Sequence, residues 1–127
     1  MKVKTLLMLL VVACAASIIA QALPTYTAQE ASKHVGETAV ITGKVEDVYL
    51  SGKENMILTM AGTYPNQAFT VFIPATTAVK FPHAQQYEGK TMAVSGKISL
   101  YHGKPEIIVM SPNQLAVQRS SKGPAER

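Results

Sequence analysis

The chain has 127 residues, a formal net charge of +4 and 47% hydrophobic side chains, with a single cysteine and no tryptophan. This length can bury one hydrophobic core and excludes two full-sized domains. One cysteine excludes an internal disulfide, and a charge this small does not by itself point to nucleic acid.

The chain starts Met1-Lys2-Val3-Lys4, followed by an apolar run from Leu6 to Ala20 and small residues at Ala20 and Ala22. A basic start, a greasy centre and a small-residue end are the three parts of a secretory signal, here with cleavage after Ala22. The run is shorter than the roughly 20 residues that cross a bilayer core. The expected division is a signal peptide over 1–22, a folded domain over 23–116 and a flexible tail over 117–127, with a periplasmic or secreted product. Val11-Val12-Ala13-Cys14 resembles a lipobox, so a lipid anchor at Cys14 is an alternative. It is the lesser one, because Ile18, Ile19 and Ala20 continue the apolar run where a lipoprotein turns polar. Cleavage removes the only cysteine and two lysines, leaving ten basic against eight acidic side chains and a net charge of +2.

Thr27-Ala28-Gln29-Glu30 fits a capping box and predicts a short helix over 28–34 that stops at Gly36. From Thr38 the period becomes two. Ala39, Ile41, Gly43 and Val45 alternate with Thr38, Val40, Thr42 and Lys44, as in a strand with one buried face. Gly43 predicts a bend, and Glu46-Asp47 breaks the phase before Val48 and Tyr49, which predicts a bulge. Ser51 to Asn55 forms a turn. Met56, Leu58 and Met60 share one face of a second strand, with Ile57 and Thr59 on the other. After a turn at Gly62 to Asn66, Phe69, Val71 and Ile73 alternate with Thr70 and Phe72 in a third strand. Thr76 to Tyr87, with Pro82, predicts a short irregular helical connection. Met92, Val94, Ile98 and Leu100 mark a fourth strand, and Tyr101-His102-Gly103-Lys104 turns the chain into a fifth, Glu106 to Met110. Beyond Leu115 the chain is expected to fray.

One pattern occurs twice. Gly36-Glu37-Thr38-Ala39-Val40-Ile41-Thr42-Gly43-Lys44-Val45 returns 53 residues later as Gly89-Lys90-Thr91-Met92-Ala93-Val94-Ser95-Gly96-Lys97-Ile98, with residue type changed only at Glu37/Lys90. Tyr49…Gly52-Lys53 likewise matches Tyr101…Gly103-Lys104. The element order is β-β-β-α-β-β. Five short strands with one buried face each must hide their edges. The expected fold is therefore all-β: a five-stranded Greek-key OB-fold barrel, with a short N-terminal helix and a short helix between strands three and four.

Several strings are also familiar: His34-Val35-Gly36-Glu37, Thr42-Gly43-Lys44-Val45, Tyr64-Pro65-Asn66-Gln67-Ala68-Phe69-Thr70-Val71, Val94-Ser95-Gly96-Lys97-Ile98 and Gly103-Lys104-Pro105-Glu106-Ile107-Ile108. Together, over about residues 28–115, they resemble small exported bacterial OB-fold domains of the tRNA-anticodon-type, nucleic-acid-binding group. The resemblance implies binding of single-stranded nucleic acid or another extended oligomer.

OB domains bind across strands two and three, framed by the loops between strands one and two and between strands four and five. Those loops carry Tyr49, Lys53, Tyr101, His102 and Lys104, while Phe72 is expected to face outward from strand three. The aromatic rings would stack bases and the lysines would neutralise phosphates. Each has a plainer alternative. The tyrosines would close the barrel end, the lysines would keep hairpin tips soluble, and His102 would be a turn residue. Phe72 would pack under the N-terminal helix or the Tyr64-Pro65 turn. His34, His83 and His102 lack ligand spacing, so no metal or cofactor is expected. No nucleophile elbow or P-loop is present, which favours a binding module over an enzyme. The +2 charge keeps open a protein, peptide or small-molecule partner in the same groove.

Overall fold

Residues 22–118 are described by the computed structural model. Residues 1–21 of the expected signal peptide, Cys14 among them, and residues 119–127 of the expected tail lie outside the described residues. The capping box at Thr27 is made on both sides. The Thr27 hydroxyl accepts from the Glu30 amide at 3.3 Å, and the Glu30 carboxylate accepts from the Thr27 amide at 2.9 Å. It opens a 3-10 helix, Ala28–Lys33, which ends before Gly36 at φ +96°. Ala28 and Ala31 are its buried face. A three-residue strand without a sequence signal, β1 (Thr25–Thr27), precedes it.

Strand β2 (Thr38–Leu50) is long and changes face partway. Ala39, Ile41 and Val45 are buried up to Val45, and Val48 is buried after it. The register explains the switch: Val45 opposes Met60 and Asp47 opposes Thr59, so Glu46 is the extra residue of a bulge. Odd-numbered residues face the core before the bulge and face away after it. Gly43 lies where the 3-10 helix crosses. A Cβ there would sit 3.1 Å from the Ala28 Cβ and 3.2 Å from the Met60 Sδ.

Strands β3 (Met56–Met60) and β4 (Phe69–Ile73) continue as antiparallel neighbours, and β7 (Lys104–Ile108) pairs parallel to β4. A four-residue α-helix, Ala75–Ala78, and a 3-10 turn, Ala84–Tyr87, form the irregular connection between the third and fourth expected strands. Strand β5 (Thr91–Lys97) returns beside β2. The two copies of the internal repeat are thus paired with each other. Ile41 opposes Val94, its own equivalent in the second copy, so the copies relate by a local twofold. Their flanks follow it: Gly36 N–H donates to the Ile98 carbonyl at 2.7 Å, and Gly89 N–H donates to the Val45 carbonyl at 2.8 Å. Phe69, Ile41, Leu58, Met60, Ile73, Met92 and Ile98 are fully buried between these strands. Each such side chain contributes about 1.5–3 kcal/mol by its removal from water.

The closed five-stranded barrel does not form. All five expected strands are present in order, but the sheet has eight strands and is open: with β6 (Ser99–Tyr101) and β8 (Leu115–Val117) it runs β6-β7-β4-β3-β2-β5-β8, and β1 lies beside β2. Two causes act where β5 should meet β7. Strand β8 (Leu115–Val117), in the segment expected to fray, pairs with β5 at Met92–Val94 and takes its free edge. The Gln118 amide extends this contact to the Thr91 carbonyl. Further along, Gly96 adopts φ +152°, and the Ile107 Cγ2 lies 2.7 Å from where a Cβ would be. The side chain of Gln114 bridges the remaining gap. Its Nε2 donates to the Ser95 carbonyl at 2.9 Å and the Ile108 carbonyl at 3.3 Å, while its Oε1 accepts from the Met110 and Ser111 amides. The expected fourth strand also divides after Lys97. Strand β6 (Ser99–Tyr101) pairs only with β7, and Leu100 is exposed on this edge rather than buried. Among the described residues, no helix is long and apolar enough to cross a membrane.

Candidate functional site

The face of β2, β3, β4 and β7 that points away from the core carries two adjoining cross-strand rows. Tyr49 opposes Ile57, Ile57 opposes Phe72, and Phe72 opposes Ile108. This row is apolar and aromatic. Two residues along each strand, Asp47 opposes Thr59, Thr59 opposes Thr70, Thr70 opposes Glu106, and Glu106 opposes Ser99 of β6. This second row is polar. The bulge at Glu46 is what turns Tyr49 and Asp47 onto this face.

Two hairpins and one loop raise the walls. The β6–β7 hairpin has a two-residue turn in which His102 (φ +52°) and Gly103 (φ +79°) are both left-handed, as a tight twisted hairpin demands. That geometry sets Tyr101 opposite Lys104 and stands the ring of Tyr101 edge-on to His102, centroids 4.1 Å apart. In the β2–β3 turn the Ser51 hydroxyl accepts from the amides of Lys53 and Asn55, which fixes Lys53 at the tip. The β3–β4 loop carries Tyr64 and Pro65 over the groove. A Cβ at Gly62 would be 2.9 Å from the Asn66 carbonyl oxygen, so only glycine allows this loop to fold so tightly.

The result is a groove of about 1060 Å³. All six residues singled out from sequence line it: Tyr49, Lys53, Phe72, Tyr101, His102 and Lys104. Phe72 is half-buried and faces the groove, because Phe69, Val71 and Ile73 all face the core. The Lys104 ammonium donates to the Gln67 carbonyl at 3.3 Å. Burial, and then the nearness of Tyr64 and Asp47, pushes the Tyr49 phenol above its ordinary value. His34 and His83 are not among the lining residues. His34 stacks on Tyr26 at 3.5 Å, and both hydrogen-bond Glu37, a clasp that ties β1 to the 3-10 helix.

Tyr64, Ile57, Gln67, Glu106 and Ile108 also line the groove, although no sequence signal marks them as site residues. Tyr64 stands in a turn beside a proline and opens one of the family-like strings, neither of which marks it as a lining group. Ile57 and Ile108 were on the correct outward parity, but an isolated outward isoleucine carries no functional signal. Glu106 is 8% exposed, and burial raises its carboxyl above the usual carboxylate range. Among the described residues no cluster of three His, Cys, Asp or Glu side chains could hold a metal ion.

No protein-family model and no curated protein sequence matches the chain. Solved structures do share its fold. One is described as an aspartyl-tRNA synthetase from Leishmania major Friedlin, with TM-score 0.52 and 12% identity over 80% of this chain. Another is the Stn1-Ten1 complex of S. pombe, with TM-score 0.50 and 16% identity over 68% of this chain. The chain spans 22% of the synthetase chain and 61% of the other. At these identities the likeness shows an OB-type fold, and the opened sheet is a variant of it.

Proposed function

We propose that the protein is an exported, non-catalytic module that holds single-stranded nucleic acid in the groove across β2, β3, β4 and β7. One observation carries this reading: the Tyr49–Ile57–Phe72–Ile108 row lies on the face that OB-type folds use for extended ligands. Successive bases would stack along that row and against Tyr64 and Tyr101, which are 68% and 63% exposed. Lys53 and Lys104 at the rims would meet the phosphates, with His102 beside them. The synthetase among the similar structures is named for a tRNA, which agrees in ligand class. Export rests on the basic, apolar and small-residue pattern of residues 1–22, and intact-mass measurement of the mature N-terminus tests cleavage after Ala22 against lipidation at Cys14.

The test of the binding reading is titration of fluorescent single-stranded oligonucleotides at low and moderate salt. Saturable binding at low salt supports it, and none overturns it. A protein partner is the second reading. Residues 22–118 contain seven lysines and seven acidic side chains, an even balance unusual for a nucleic-acid binder, and the second structural relative is a complex of two proteins. That reading predicts a groove whose ligand is displaced by a peptide and never by an oligonucleotide.

A further inference from the structure

The polar row contains a group that the stacking reading does not use. Glu106 lies on β7 between Thr70 of β4 and Ser99 of β6, 8% exposed, at the floor of the groove. Among the described residues nothing pairs with its carboxylate. The one ion pair there is His34–Glu37, and the Lys104 ammonium is turned to the Gln67 carbonyl. Ser99 donates to the main-chain carbonyl of Glu106, at 3.4 Å, and leaves the side chain alone. Gln67, 6% exposed and lining the same floor, spends its Nε2 on the Thr70 hydroxyl at 2.9 Å and leaves its Oε1 with no partner. The Glu106 carboxylate has no protein partner and opens to the groove, while the Gln67 Oε1 and the Thr59 Oγ1 of the same polar row are buried without one, which is costly to retain. The carboxylate is an acceptor, and it sits beside the row that would hold a stacked base.

We infer that this floor reads the Watson–Crick edge of guanine, with the Glu106 carboxylate accepting from N1–H and N2–H. The inference rests on the single-strand reading and deepens it. Phosphates are excluded from the floor by the negative charge, so the base and not the backbone must enter. A base stacked on Phe72 projects its edge along the sheet, and Glu106 lies on the neighbouring strand, two residues from Phe72's partner Ile108, a step of about 7 Å. Guanine offers two adjacent N–H donors, which a carboxylate matches with both oxygens. Adenine and cytosine offer one amino group each. Thymine and uracil offer a single N–H flanked by two carbonyls, which the carboxylate repels. Bases splayed out of a single strand expose these edges to a protein.

The test is fluorescence anisotropy of the purified protein with labelled strands of ~12 nucleotides, within the range of one OB site. The strands are oligo(dT), alternating dT–dG, and alternating dT–deoxyinosine, which lacks only the N2 amino group. Alternating dT–dG should bind about tenfold more tightly than oligo(dT), or ~1.4 kcal/mol, with the inosine strand between them. Glu106→Gln should abolish the preference, weakening dT–dG and relieving the repulsion of thymine so that the two strands bind within about twofold of each other, a bidentate contact having been removed. Oligo(dT) binding without a guanine preference overturns the guanine reading and leaves the single-strand reading standing. Equal dT–dG and inosine affinities, or equal loss of all strands in Glu106→Gln, also overturn it. No binding of any strand overturns both, and a lysine-rich peptide whose binding is lost in Glu106→Gln then identifies a cationic peptide as what the carboxylate meets. The inosine comparison needs no protein variant, so a misfolded Glu106→Gln does not spare the inference.

Discussion

Replacing Phe72 with alanine separates the groove's binding role from its structural one. The ring is half-buried on β4, with Ile57 and Ile108 as its cross-strand neighbours. A fully buried phenylalanine costs 3–5 kcal/mol when truncated; with one face open, Phe72→Ala should cost about 2 kcal/mol. For a domain of this size that lowers Tm by roughly 10 °C, and a typical stability of ~5–15 kcal/mol keeps the protein folded. Loss of one stacking platform removes about 1–3 kcal/mol of binding, so single-strand affinity should fall by about 5- to 150-fold. Phe72→Leu is the control that refills the space without a flat ring. Its Tm should nearly recover while its affinity stays low. Anisotropy titrations with oligo(dT) and thermal melts read the two effects side by side. If Phe72→Ala melts early yet binds oligo(dT) as tightly as the parent, the ring is a packing residue and the groove is not the site.

Four further outcomes follow from the same geometry. Two rim lysines, Lys53 and Lys104, should give a slope of log affinity against log salt of about −1.4 for single strands, flattening in the Lys53→Ala, Lys104→Ala double variant; a slope near −5 would mean that other cations carry the binding. Gln114→Ala leaves two carbonyls and two amides along the open seam without their partner, so stability should drop by ~1–3 kcal/mol, with hydrogen-exchange protection lost first in β5 and β8. Gly96→Ala should lose ~2–4 kcal/mol in denaturant melts, because the added Cβ meets Ile107 at 2.7 Å in a left-handed backbone; Gly36→Ala, open on all sides at φ +96°, should lose only about 1 kcal/mol. Burial holds the Glu106 carboxyl above its unfolded value, so the folded state binds the extra proton, and stability should fall as pH rises from the usual carboxylate range through that raised value. Thermal melts of Glu106→Gln should lose this decline. Glu30 and Glu37 act in the opposite sense. Hydrogen bonds from Thr27, and from Tyr26 and His34, hold them low, and their contribution is lost as pH falls through those lowered values.

The regular strands and the bulge were legible because their signals are local and periodic. Ala39, Ile41 and Val45 keep one parity, Val48 breaks it, and the extra residue between them is Glu46. The repeat was legible as two similar hairpins, whereas its self-pairing about Ile41 and Val94 is a long-range contact that no local pattern encodes. Strands β1 and β8 are three residues long, too short to hold a period, and form because β2 and β5 offer them free edges. The open seam was illegible for a different reason. It depends on Gln114 reaching Ser95, 19 residues back, and on Ile107 filling the space beside Gly96. Glu106 was hidden because Pro105, Glu106 and Ile107 are all buried, so alternation could not say which of them faced a groove and which a core.

The balance of forces in the groove says which part of a single strand it would hold. Residues 22–118 have no net formal charge, and only Lys53 and Lys104 line the groove as full cations. Two phosphate contacts make a salt-sensitive term that fades between low and moderate salt. Tyr49, Tyr64, Phe72 and Tyr101 offer four aromatic surfaces on the same groove, each worth about 1–3 kcal/mol per stacked base and little affected by salt. The bases therefore outweigh the backbone, and a site that grips bases is one where their edges can be read. In a groove built to attract phosphates, a buried carboxylate would oppose the ligand. Here, at the floor beside the stacking row, Glu106 would oppose the phosphates and would turn the bases, not the backbone, of a bound strand toward the floor.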